Sequence, residues 1–151
     1  MTEAFALTGG HPRWEELIRF ADASAWRAGP YLANQMRADA FLPWERVFAV
    51  CVDDAVAGYC TLTAHDELPP EAGFTPFIGF VYVDPAFRGH RLSEALIDAA
   101  SAYACSLGFD RIYLMSSEKG LYEKYGFRPL GMHPTIFGTE DQLFVRSTKR
   151  A

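Results

Sequence analysis

Three basic side chains, Arg88, His90 and Arg91, crowd around Gly89 at one point of the chain. Such a cluster suits the binding of an anion. The residues before it, Phe80-Val81-Tyr82-Val83, are aromatic and β-branched without a charge, as in a buried strand. Asp84-Pro85 stops that strand, because proline lacks an N–H and restricts the residue before it. After the turn the period becomes helical, with Leu92, Leu96, Ala99, Ala100, Tyr103 and Leu107 along one side and Gly108 at the end. A strand, a basic glycine-containing turn and a long helix follow one another. The start of such a helix presents N–H groups and the positive end of its dipole. The stretch therefore predicts a seat for a phosphate-bearing ligand.

The elements around it are readable in outline. Ala4–Leu7 predicts a first strand. A helix opens on Pro12, carries Trp14, Leu17, Ile18, Ala21 and Ala25 on its apolar face, and ends at Gly29-Pro30. A second helix runs from Tyr31 to about Ala40 and closes before Pro43. Strands Arg46–Val52 and Ala57–Thr63 form a hairpin through Asp53-Asp54. An acidic, proline-containing loop over residues 65–73 leads into the central strand, Phe77–Val83. Arg111–Met115 predicts a strand parallel to the central one, since a helix connects the two. A short helix spans Ser116 to Tyr125, capped by Ser116, Ser117 or Glu118. Strands Phe127–Met132 and Gln142–Arg146 complete the chain. The order β-α-α-β-β-β-α-β-α-β-β describes an α+β fold with a mixed sheet, in a single domain over residues 1–151.

The stretch Val83-Asp84-Pro85-x-x-Arg88-Gly89-x-x-Leu92 resembles the acyl-CoA signature of the GCN5-related N-acetyltransferases. That signature is Arg/Gln-x-x-Gly-x-Gly/Ala, and Arg91 and Ser93 stand where its first glycine and last small residue are expected. Leu121-Tyr122-Glu123-Lys124-Tyr125-Gly126-Phe127 resembles the second hallmark of the same family, and the element order is also the family's. The resemblance implies a GNAT-like acyl-CoA N-acyltransferase fold and acetyl-CoA as co-substrate. It implies that Arg88, Gly89, His90, Arg91, Leu92 and Ser93 hold the CoA pyrophosphate. It gives the backbone of Val81, Tyr82 and Val83 the role of donors to the thioester, and Tyr122 the role of partner to the leaving thiolate.

The chemistry sets its own demands. An ammonium of pKa about 10.4 must lose a proton before it attacks. A tyrosine at about 10 is a weaker acid than a thiol at about 8.5, so full proton transfer would run uphill by roughly 2 kcal/mol. Tyr122 is therefore expected to donate a hydrogen bond as charge appears, or to act with its pKa lowered by the site. Asp66 and Glu67 are the nearest carboxylates to serve as general base, with His65 and a water chain as alternatives. As charged loop residues they are expected to be solvated more often than buried. The expected reaction is acetyl transfer from acetyl-CoA directly to a primary amine on a small molecule or peptide. The alternative is a non-catalytic acyl-CoA-binding sensor or assembly module of the same fold.

The bulk numbers bound these readings. The 151 residues, half of them hydrophobic and 22% charged, suit one globular domain. A net charge of −5 argues against nucleic acid as a partner. It mildly suits a cationic acceptor. No apolar run suggests a membrane span and no basic-then-apolar leader opens the chain, so the cytoplasm is the expected compartment. Cys51, Cys60 and Cys105 are odd in number and widely spaced, which predicts buried thiols rather than a disulfide framework. His11, His65, His90 and His133 share no ligand spacing, and no metal is expected. Neither GxGxxG nor GxxxxGK[ST] occurs, which disfavours a nucleotide binder. Trp14, Trp26, Tyr31, Met36, Trp44 and the loop over 65–76 are candidates to shape an acceptor pocket. The acceptor and the oligomeric state are not legible.

Overall fold

The apolar periodicities become seven strands and four α-helices among the residues described, 2–149, in a computed structural model. Residues 1, 150 and 151 of the expected domain lie outside them. The order is β1 (Thr2–Leu7), α1 (Trp14–Ala23), α2 (Ala28–Arg37), β2 (Arg46–Val52), β3 (Ala55–Thr63) and β4 (Phe77–Val83). Then come α3 (Leu92–Ser106), β5 (Arg111–Ser116), α4 (Leu121–Lys124), β6 (Arg128–Pro134) and β7 (Glu140–Ser147). This is the expected mixed α+β order. The strands hydrogen-bond in the order β1-β2-β3-β4-β5-β7-β6. The expected parallel pairing of β4 and β5 is present, while β1–β2, β5–β7 and β6–β7 are antiparallel.

The chain falls into two compact units. One comprises the chain up to Thr61 together with Phe80–Ala100; the other comprises Leu62–Gly79 and the chain from Ser101 onward. The core of the first is built by Leu17, Ile18, Ala21, Leu32 and Met36 from the helices against Leu7, Val47, Ala49 and Tyr59 from the strands. Leu68, Phe77, Tyr113, Met115, Leu143 and Val145 form a core of the second.

Several boundaries depart from the sequence expectations. Pro12 does not open α1, which begins at Trp14; a turn precedes it, with the His11 N–H donating to Thr8 O at 2.9 Å. Gly29-Pro30 does not end α1 but lies in the first turn of α2. Proline is tolerated there because its missing N–H would have no helical acceptor. Gly29 is needed there because a Cβ would lie 2.0 Å from Ser24 Oγ and 2.3 Å from Ala21 O. α2 stops at Arg37, three residues short of Ala40, where the backbone turns left-handed at Asp39 with φ of 48°. The β2–β3 turn uses Asp53 and Asp54 as expected, both left-handed with φ of 49° and 71°, the combination a two-residue hairpin turn demands. The buried stripe of α3 runs through Leu92, Leu96, Ile97, Ala100 and Ala104, whereas Leu107 is exposed. The short helix begins at Leu121, not Ser116, which ends β5.

Candidate active site

In the first unit, the end of β4 leads directly into the basic turn. Phe80 has φ of 52°, so the strand leaves extended geometry at a bulky aromatic residue. The β4–β5 ladder covers Phe77↔Tyr113 and Ile78↔Leu114, just before that kink. β3 approaches the far end of β4 closely: a Cβ on Gly58 would stand 2.5 Å from Tyr82 O. The Asp84 N–H then donates to Ala57 O at 2.8 Å. The Asp84 carboxylate accepts from the Ala86 N–H at 2.9 Å, capping a 3-10 turn over Pro85–Phe87. Asp84-Pro85 thus shapes the turn as well as ending the strand.

Past that turn the backbone is left-handed twice, at Gly89 (φ 91°) and at Arg91 (φ 57°). Arg91 therefore adopts the conformation that glycine takes freely and other residues adopt at a cost of about 1–2 kcal/mol. Two of the three basic side chains are engaged locally. Arg88 Nε donates to Val83 O at 2.9 Å, and its guanidinium lies 5.8 Å from the Tyr82 ring centroid. Arg91 donates twice to the Glu94 carboxylate, at 2.7 and 3.1 Å. Arg88 keeps its charge beside a neutral carbonyl and a ring, whereas the charge of Arg91 is paired with Glu94. What remains at the turn is the exposed His90, the left-handed backbone, and the helix start at Leu92 and Ser93.

The first unit also gathers aromatic residues that lie far apart in sequence. Trp26 stacks on Tyr82, with centroids 5.7 Å apart and planes 2° apart, and meets Phe80 edge-on at 6.2 Å. Tyr31 stacks on Phe80 at 6.0 Å, and Tyr59 on Tyr82 at 5.3 Å. Of the candidate pocket residues, Trp26 and Tyr31 are brought together here. Trp14 and Met36 are buried in the core of this unit, where Trp14 also lines a pocket with Leu7, Asp39, Phe41 and Leu42. Sequence periodicity does not reveal this grouping, because the members come from three separate elements and one link.

The second unit holds Asp66, Glu67 and Tyr122. The two carboxylates are half-buried, not solvated as expected for a loop. The loop is tied down: the Ile136 N–H donates to Glu67 O at 2.7 Å, Thr75 Oγ1 to Ala64 O at 2.8 Å, and Thr63 Oγ1 to His65 O at 2.7 Å. Desolvation, with the charges of Glu67 and Asp141 adding to it, pushes the Asp66 carboxyl up to about 7. Glu67 is raised as well, first by burial and then by Asp141. Asp141 completes this acidic group and was not foreseeable from the sequence; only the β7 register brings it to the loop. His65 is exposed.

Tyr122 is buried, its ring 6.3 Å from Tyr125, 6.1 Å from Phe127 and 5.9 Å from Phe144. α4 is capped by Glu123, whose Oε1 accepts from the Gly120 N–H at 3.1 Å. The expected caps are not used: Ser116 Oγ instead accepts from the Glu118 N–H at 3.0 Å. Behind the helix, Arg146 Nη1 donates to Tyr125 O at 3.0 Å. Among the described residues no group of three His, Cys, Asp or Glu could hold a metal, and no helix is long and apolar enough to cross a membrane.

Comparison with known proteins follows the same lines. Residues 12–127 match the model of the acetyltransferase (GNAT) family. No protein of curated function matches by sequence. An aminoglycoside 6'-acetyltransferase of type Ii has a similar structure, with a TM-score of 0.74 and 16% identity, over 99% of both chains. A GNAT acetyltransferase from Elizabethkingia anophelis with acetyl-CoA bound scores 0.64 at 17% identity, over 97% of both chains. A spermidine N-acetyltransferase from Vibrio cholerae scores 0.66 at 17% identity, over 97% of this chain and 94% of that one. At such identities the likeness is one of fold.

Proposed function

The chain belongs to the GNAT family of acetyl-CoA-dependent N-acetyltransferases, and from that premise we propose that it acetylates a primary amine directly. The observation that carries this is the β4–turn–α3 unit. Left-handed backbone at Gly89 and Arg91 and a helix start suit a pyrophosphate held by loop amides. In this reading Arg88 to Ser93 hold the CoA phosphates, with backbone doing more than the engaged side chains. The neighbouring structures of an aminoglycoside and a spermidine acetyltransferase support an amine as acceptor.

The amine nitrogen attacks the thioester carbonyl carbon; a C–N bond forms, the C–S bond breaks, and CoA leaves as a thiolate. The nitrogen gives up one proton and the sulfur takes one. Backbone N–H groups of Val81 to Val83 receive the developing oxyanion, where fixed donors need no reorganisation. Candidates to accept the amine proton are Asp66 and Glu67, whose carboxyl pKa values are both raised by burial, with a water chain as the alternative. Tyr122 donates a hydrogen bond to the departing sulfur. The acetyl-CoA supply and three free cysteines suit a reducing compartment, the cytoplasm.

Calorimetric titration with acetyl-CoA, competed by CoA and by ATP, tests the cofactor assignment. Binding displaced by CoA and not by ATP is expected. No binding at millimolar acetyl-CoA overturns the proposal. Following CoA release across a panel of amines tests the reaction: binding with no turnover of any amine would favour a non-catalytic acyl-CoA module.

A further inference from the structure

We propose that the acceptor is an alkylamine that bears an aromatic ring, and that Tyr31, Phe80 and Trp26 form the surface on which that ring stacks. This rests on the amine acetylation argued above and names the class of amine. Five aromatic residues of the first unit form a graded series. Tyr59 is fully buried, its hydroxyl 3.1 Å from Ser24 Oγ, and Tyr82 packed on it is 6% exposed. Trp26 and Phe80 are half-buried, and Tyr31 at the outer end is 58% exposed. Tyr31 nonetheless lies nearly parallel to Phe80, at 14°. An exposed ring held flat against a half-buried one continues a stack into solvent, where a further ring extends it in the same geometry.

The position of the series fits an acceptor. Phe80 stands one residue before the backbone assigned to the thioester oxygen, and its left-handed φ turns β4 at that point. A strained aromatic residue beside proposed chemistry is where specificity is expected to reside. The chemistry of the series then selects the ligand. Its five members supply ring faces, hydroxyls and an indole N–H, and no carboxylate. The Arg88 guanidinium, 5.8 Å from the Tyr82 ring, repels each ammonium of a multiply charged amine and so favours a singly charged one. An acceptor with one ammonium and a flat ring satisfies both conditions; a polyamine satisfies neither.

The test compares 2-phenylethylamine with 2-cyclohexylethylamine, equal in charge and similar in size, and with spermidine, by CoA release. The phenyl compound is expected to exceed the cyclohexyl one about threefold to tenfold in kcat/KM, the range an aromatic pair contributes. Tyr31→Ala, at an exposed position, should raise its KM by a similar factor, and Tyr31→Phe should restore it. Equal or better use of the cyclohexyl amine or spermidine, or an unchanged KM in Tyr31→Ala, overturns the inference. If acetyl-CoA binds in the same preparation, only the aromatic class fails. If it does not bind, the acetylation reading fails with it.

Discussion

The hydroxyl of Tyr122 is the smallest group on which the proposed chemistry depends. Tyr122→Phe keeps the ring contacts with Tyr125, Phe127 and Phe144, so folding and acetyl-CoA affinity should survive. The lost hydrogen bond strengthens as the C–S bond breaks, so kcat and kcat/KM should both fall, by about 10²-fold. Tyr125→Phe should change either by less than about threefold by the same reasoning. Steady-state kinetics with cofactor affinity measured separately decides it; a near-normal kcat in Tyr122→Phe would leave the residue a packing element. Asp66 acts in the opposite sense on stability. Its folded pKa of about 7 lies above the ordinary carboxyl value of 3.8, so the native state holds the proton more tightly. Its contribution is fully present below pH 3.8 and is lost as the pH rises through 7. Asp66→Asn should therefore gain on the parent between pH 5 and pH 8, by on the order of 1–2 kcal/mol after screening. Calorimetric melting at the two pH values measures it, and parallel losses in both proteins would refute the assignment. The position of Tyr122 was legible because a seven-residue pattern carries it. The setting of Asp66 was not, since its neighbour Asp141 lies on another strand and burial of a loop leaves no periodic trace.

At the scale of elements, local punctuation proved less informative than packing. Gly29-Pro30 reads as a helix end, yet it starts α2, because tertiary contact with Ser24 and Ala21 selects the glycine. Gly29→Ala should cost at least about 2 kcal/mol in urea denaturation, since its Cβ would meet a backbone oxygen that cannot simply rotate away. A loss under 0.5 kcal/mol, the spread of ordinary surface changes, would show that the link relaxes. The strand before the turn was legible as a strand, but the run Phe80 to Val83 gives no sign that its first residue is left-handed. The turn itself permits a comparison. Gly89→Val places a β-branched residue at φ 91° and should weaken CoA binding about tenfold or more by titration. Arg91→Ala removes a side chain already paired with Glu94 and should weaken it less than about threefold. The reverse ranking would mean that side-chain charge holds the phosphates.

For the whole molecule, β3, β4 and α3 each contribute residues to both compact units. Cutting any of these elements at a unit boundary would break a strand or helix in its interior. We expect the chain to unfold in one calorimetric transition, with acetyl-CoA raising its midpoint by mass action. Two transitions, only one of them moved by acetyl-CoA, would contradict the expectation of a single domain. The global order of elements was the most legible property of all, because most elements carry a hydrophobic period long enough to declare their type. The four-residue α4 is marked by its Tyr-Gly-Phe ending. The partition into units was not, because it runs through elements rather than between them.

The outer strand of the sheet has a consequence for how copies of this protein behave at high concentration. β6 is exposed along nearly its whole length and displays Leu130 and Met132, while Ile136 and Phe137 stand exposed just beyond it. Such an apolar rim would ordinarily invite strand-by-strand templating into fibres. Here Pro129 and Pro134 withdraw two N–H groups from a strand of seven residues, and the register slips between Pro129 and Gly131. A neighbour seeking to extend the sheet meets an interrupted ladder. Stickiness at this rim should thus take the form of reversible, amorphous clustering that dissolves on dilution, not of ordered growth.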